Sequence, residues 1–216
     1  MRSRTIASAA VAVVAGLALT SCSGGGGKDA GATPSASPSP SSTVSLPAGV
    51  SLTDQGSKLA FGDPATVLYQ QSQKRSTALQ LTVKDAAQGS LKDFSGFILD
   101  DPYKKKASYY YVDVTVKDVG EGDVGGAPVP LWGVDGDNTL LPAVDFTTSF
   151  PKCESKPLPK SFGPGDTFAT CLVYLAPNHG TLTAVSYRPT EAFNPIVWTG
   201  SVSKPKVEQK QHKKKH

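Results

Sequence analysis

The chain has 216 residues, with 22 Lys and Arg against 18 Asp and Glu and a formal net charge of +4. The surplus is local: Lys204 to His216 carries six Lys against Glu208, whereas Cys22 to Ser203 carries 14 basic against 17 acidic residues. The body is mildly acidic, nucleic-acid binding through the basic tail would be misplaced outside the cell, and a chain whose only methionine is Met1 lacks the soft ligands of an exported copper protein.

The amino terminus reads as an export signal. Arg2 and Arg4 precede the run Ile6–Leu19, which is apolar except for Ser8. As a helix that run would span roughly 21 Å, short of the ~30 Å hydrocarbon core, so residues 1–21 are read as a signal peptide and not as a membrane span. Leu19-Thr20-Ser21-Cys22 resembles the lipobox of bacterial lipoproteins. The resemblance implies cleavage between Ser21 and Cys22 and a diacylglyceryl thioether on Cys22. Two acyl chains give stable anchoring where one is marginal. The expected location is the outer face of the cytoplasmic membrane, with the bilayer as first partner.

Residues 22–47 are almost entirely Gly, Ala, Ser, Thr and Pro, with Lys28 and Asp29 near the start. So few large apolar side chains cannot offset the entropy of ordering, and the segment is expected to be a disordered tether. About 25 such residues span roughly 25–30 Å, and Pro34, Pro38 and Pro40 extend that reach.

Residues 48–203 are expected to form one all-β domain. Leu79, Leu81 and Val83 alternate with polar residues; so do Tyr110, Val112, Val114 and Val116, which form the clearest strand. In 168–175 both alternating sets are apolar, which predicts a strand in the middle of a sheet. Shorter candidates are 65–70, 130–134, 139–144, 182–187 and 196–199. Turn chemistry separates them: Gly120–Gly126, a hairpin turn at Asp135-Gly136-Asp137-Asn138, Gly163-Pro164-Gly165-Asp166, and Pro177-Asn178-His179-Gly180. Many short strands between turns predict an antiparallel sandwich or barrel. Residues 204–216 are too polar to pack and read as a disordered basic tail, suited to anionic lipid or wall polymer.

With Cys22 assigned to the anchor, Cys153 and Cys171 remain, and an oxidising compartment predicts a disulfide between them. A zinc site would lack ligands, because His179 is the only histidine of the domain, and a serine or cysteine nucleophile would lack a base. Ser-x-x-Lys occurs at Ser149/Lys152 and Ser201/Lys204 without the companion motifs of penicillin-binding enzymes. Asp135-Gly136-Asp137-Asn138 and Asp100-Asp101 offer oxygen ligands for calcium but read as turns. No catalytic residue, metal ligand or cofactor is expected.

Three segments carry a further resemblance: 58–67 as an opening strand, 109–118 as a central strand, and 162–174 as a late strand introduced by a Pro-Gly turn. Together they resemble actinobacterial secreted lipoproteins with an immunoglobulin-like domain, related to the mycobacterial immunoprotective extracellular protein. The resemblance covers most of 55–200, excludes the basic tail, and implies an immunoglobulin-like β-sandwich without implying an activity. Tyr109 and Tyr111 fall on the polar face of the central strand. If exposed beside Lys104, Lys105 and Lys106, they would offer a surface to an anionic polymer, a glycan or a protein; the competing expectation is that a second sheet or a loop covers them. The function expected is a lipid-anchored, non-enzymatic binding domain outside the cell. The alternative is a structural or accessory envelope lipoprotein without a discrete ligand site.

Overall fold

The computed structural model describes residues 46–99 and 101–204. The expected signal peptide, the lipobox with Ser21 and Cys22, nearly all of the tether, and the tail beyond Lys204 lie outside the described residues.

The described chain is built almost entirely from strands. In order they are β1 (Lys58–Ala60), β2 (Pro64–Ser72), β3 (Arg75–Gln88), β4 (Ser108–Asp118), β5 (Trp132–Asp135), β6 (Leu140–Leu141), β7 (Thr167–Ala176), β8 (Leu182–Tyr187), β9 (Ile196–Thr199) and β10 (Val202–Ser203). One sheet runs β1-β9-β8-β5-β6. The other runs β3-β4-β7, and β2 and β10 share the free edge of β3. Pairing is antiparallel except for β1 with β9 and β10 with β3. A single α-turn, α1 (Pro102–Lys106), and two 3-10 turns at Leu91–Phe94 and Pro177–His179 complete the elements. Among the described residues no helix is long and apolar enough to cross a membrane.

Period-2 alternation builds the interior. Ala65, Val67 and Tyr69 of β2, Leu79, Leu81 and Val83 of β3, and Tyr110, Val112, Val114 and Val116 of β4 all face one core. From the opposite sheet come Leu182, Val185 and Tyr187 of β8 with Ile196 and Trp198 of β9. Buried polar atoms of the aromatic residues are paired: the Trp198 indole N–H donates to the Asp63 carbonyl at 2.9 Å, and the Tyr174 hydroxyl to the Leu131 carbonyl at 3.1 Å. The Asp135–Asn138 turn joins β5 to β6, with Asn138 at φ +60° and the Asp135 carboxylate accepting the N–H groups of Asp137 and Thr139.

The expectation that 168–175 lies in mid-sheet is corrected: β7 pairs only with β4 and forms a sheet edge. Both its faces are apolar for another reason. Leu172, Tyr174 and Ala176 face the main core, while Cys171, Val173 and Leu175 join a second cluster on the outer side of the sheet. That cluster is roofed by residues 91–99, 101–107 and 144–153, chiefly by Phe94, Phe97, Phe146 and Phe150. Phe94 and Phe150 stack at 4.6 Å, and Phe146 lies 5.0 Å from Phe150. Cys153 and Cys171 are joined with Cα atoms 5.1 Å apart, as expected, and fasten the roof to the sheet.

Candidate functional site

The roof decides the fate of the tyrosines. Tyr109 and Tyr111 do point away from the main core, as alternation requires. The roof then covers them: Tyr109 is 3% exposed, its ring lies 4.2 Å from that of Phe94, and its hydroxyl donates to the Lys104 carbonyl at 2.6 Å. Tyr111 is half-buried, packs 5.7 Å from Phe150, and donates its hydroxyl to Asp93 at 3.0 Å. The Tyr109 ring is closed to solvent, and the Tyr111 ring keeps partial exposure. Gly89 keeps this arrangement possible, because a Cβ there would lie 2.5 Å from the Tyr111 ring.

Asp93 ties the roof down. It closes a capping box with Ser90, accepts the Tyr111 hydroxyl, and meets the Lys152 ammonium at 3.2 Å. Desolvation works to raise its pKa, but the Ser90 N–H, Lys152 and Tyr111 outweigh it and hold the carboxyl below its ordinary range. Burial beside this carboxylate pushes the Tyr111 phenol well up. Lys152, the lysine of one Ser-x-x-Lys match, therefore serves an ion pair.

The three lysines lie on α1, which Asp101 caps by accepting the Tyr103 N–H at 2.8 Å. The turn packs beside Pro177–His179. Lys105 and Lys106 are exposed, and Lys104 is partly buried. The exposed aromatic ring next to them is Tyr103, at 46% exposure, with its hydroxyl donating to the Leu175 carbonyl at 3.1 Å. Tyr103, and not Tyr109 or Tyr111, is thus the exposed aromatic beside the basic run. The Asp101-Pro102 cap signal, with Pro at the first helical position, would have marked Tyr103 as belonging to a surface turn.

A second feature was not anticipated. An open groove of about 720 Å³ runs between residues 145–149 and 154–157 on one side and Gly126 and Pro128 on the other. Its lining combines the Phe146 side chain, the hydroxyl residues Thr147, Thr148, Ser149 and Ser155, and the charged residues Asp145, Glu154 and Lys156. Ser155 sits at φ +45° and donates its hydroxyl to the Val144 carbonyl at 2.7 Å. The opposite wall is braced by Gly126 N–H to the Pro159 carbonyl at 2.7 Å and Arg75 to the Gly125 carbonyl at 2.6 Å. The Phe146–Phe150 contact and the disulfide at Cys153 hold the floor. Such a surface offers hydroxyl and carboxylate hydrogen bonds beside a partly buried aromatic side chain.

At the far end of β4, Asp118 is fully buried. Its Oδ1 accepts the Thr77 hydroxyl at 2.7 Å and the Gly120 N–H at 2.9 Å, and its Oδ2 has no partner. Burial pushes this carboxyl up, and the neighbouring Asp166 and Asp123 add to the shift against the lowering by Thr77 and Gly120. Among the described residues no group of three His, Cys, Asp or Glu side chains is placed to hold a metal. No family model, curated protein or solved structure matches the chain.

Proposed function

We propose that the chain is a lipid-anchored, extracytoplasmic, non-enzymatic binding domain whose ligand surface is the groove lined by residues 145–149 and 154–157 with Gly126 and Pro128. The observation that carries this reading is the groove's construction: an open, mixed polar and apolar surface on a loop fixed by a disulfide and an aromatic contact. Rigid support of a surface loop lowers the entropic cost of binding. The disulfide supports placement outside the cytosol, where such bonds persist. The lipobox resemblance at Leu19–Cys22 supports the anchor.

An immunoglobulin-like assignment for the sandwich draws support from the sheet β1-β9-β8-β5-β6, in which the first strand runs parallel to the last long one. Its five-strand order matches the extended sheet of variable-type domains. The other sheet departs from that pattern, because β4 follows β3 directly and lies between it and β7.

A photo-crosslinking side chain at Thr148, compared with one at the exposed Gln71 on β2, tests the reading in intact cells. A discrete adduct at Thr148 and none at Gln71 is the expected result. Equal or absent adducts at both positions would overturn the groove as a ligand surface and favour an accessory envelope role.

A further inference from the structure

The stretch 97–106 stands out on the surface. Ile98 is 82% exposed, while the next most exposed large hydrophobic side chains, Leu91 and Tyr103, both stand at 46%. Its chain neighbours Phe97 and Leu99 both pack into the second cluster. The backbone is therefore held from both sides while Ile98 projects into solvent. Five residues on comes the half-exposed ring of Tyr103, followed directly by Lys104, Lys105 and Lys106. The Asp101 carboxylate is engaged as the cap of α1, and no ion pair holds Lys105 or Lys106 among the described residues.

A single exposed isoleucine is ordinary on a soluble protein. An aliphatic tip, an amphipathic phenol and a run of ammonium groups within ten residues is a more specific combination. Each of these side chains favours a different depth of a bilayer surface. The aliphatic group enters the acyl boundary, the tyrosine ring sits at headgroup level, and lysines reach the phosphates on long apolar stems. We infer that Ile98, Tyr103, Lys105 and Lys106 make a reversible contact with an anionic lipid surface. The inference rests on the lipid-anchored reading for its setting: a tether of about 25 residues would place the start of the domain, on average, roughly 25–30 Å from its anchor. At that spacing a contact too weak to keep an unanchored protein in a washed membrane fraction, though measurable with excess vesicles, still sets how the tethered domain lies. The same contact would leave the groove's orientation fixed relative to the membrane.

The test uses chain 22–216 carrying Cys22→Ala, so that no acyl group contributes. Co-sedimentation is measured with vesicles of phosphatidylglycerol mixed with phosphatidylcholine, and with phosphatidylcholine alone. Binding is expected to the anionic vesicles and to fall with added salt. Replacing both Lys105 and Lys106 by Gln should weaken it about 25-fold, at roughly fivefold per lysine. Ile98→Ser should weaken it by about tenfold, the effect of losing part of one aliphatic side chain's burial, with no change in melting temperature. Lys84→Gln, at an exposed position on β3, should change nothing. Ile98→Trp supplies a second readout, since its emission should shift to the blue on adding anionic vesicles.

Three results would overturn the inference. One is unaltered binding by the Ile98 and Lys105/Lys106 variants while deletion of 205–216 abolishes it, which would assign all lipid affinity to the tail. Another is equal binding to both vesicle types. The third is an Ile98→Ser variant that keeps vesicle binding but loses a protein crosslink in cells. The anchor is read separately, from the mass of the native residue 22, so its failure would not be mistaken for failure of this contact.

Discussion

Removing the Cys153–Cys171 bridge by the double change Cys153→Ala and Cys171→Ala tests how the roof is held. The two residues are 18 positions apart in sequence. Closing a loop of that size lowers unfolded-state entropy by an amount worth about 3 kcal/mol in the chain-entropy model. For a domain of this size each kcal/mol moves the melting temperature by about 2–4 °C, so the variant should melt roughly 6–12 °C lower. The loss should also be local. Without the bridge, the roof keeps the Phe94–Phe150 stack and the Val144 N–H to Val173 carbonyl bond of 2.8 Å, but nothing covalent joins it to β7. Thermal melting followed by near-ultraviolet circular dichroism gives the global figure, and amide exchange at Val144, Cys153 and Val173 gives the local one. Exchange at Val144 should quicken far more than exchange at Val112 or Val114 of β4. A melting temperature within about 2 °C of wild type, together with unchanged protection at Val144, would refute the argument that the bridge supports the roof and the groove built on it.

Asp118 and Asp93 make opposite contributions to the dependence of stability on pH. The raised folded-state pKa of Asp118 gives a contribution fully present below the ordinary carboxylate pKa and lost as pH rises through the raised value, so Asp118→Asn should flatten that fall in denaturant titrations. The lowered pKa of Asp93 gives stability that is present above the ordinary value and lost as pH falls through the depressed one. Asp93→Ala, which leaves the Tyr111 hydroxyl without its acceptor, should cost about 1–3 kcal/mol near neutral pH, measured by urea unfolding. Trp198→Ala, at a fully buried position in β9, should cost about 3–5 kcal/mol by the same assay. Ending the chain after Lys204 should leave the melting temperature unchanged, while ending it after Gly200 should lower it, because β10 pairs with Ala86 and Ala87 of β3. Cys22→Ala should move the protein from the membrane fraction to the soluble fraction, scored by immunoblot.

The main core was legible because alternation specifies it residue by residue. Tyr110 to Val116 bury every second side chain, and the Asp135–Asn138 turn carries the residues that such a reversal demands. What escaped was mostly non-local or short. The parallel pairs of β1 with β9 and β10 with β3 join segments far apart in sequence, and no local pattern announces them. β3 continues to Gln88, past the alternation seen at 79–83, because a bulge at Lys84 shifts the register between Val83 and Asp85. The expected strand 139–144 shrinks to Leu140–Leu141, since Pro142 has no N–H to continue a ladder.

The candidate site was less legible for a related reason. Alternation states which side of the sheet a residue faces, but not whether that side is wet. Tyr109 and Tyr111 face outward as read, onto a surface that the aromatic roof occupies. A hint lay in the apolar outer face of β7, where Cys171, Val173 and Leu175 needed cover that solvent could not give. The groove itself depends on how two loops, distant in sequence, come to lie side by side.

The closed margin of β7 bears on behaviour at high local density. Its backbone is engaged by Val144 at Val173 and by the Tyr103 hydroxyl at Leu175, and β2 at the opposite margin is capped by Thr53 at Thr66 and by the Tyr187 hydroxyl at Leu68. The margins of the other sheet, β1 and β6, are three and two residues long. Short or occupied margins give a neighbouring copy little template on which to continue the hydrogen-bond ladder. Copies crowded side by side would therefore find few free backbone groups along these margins on which to build a shared ladder.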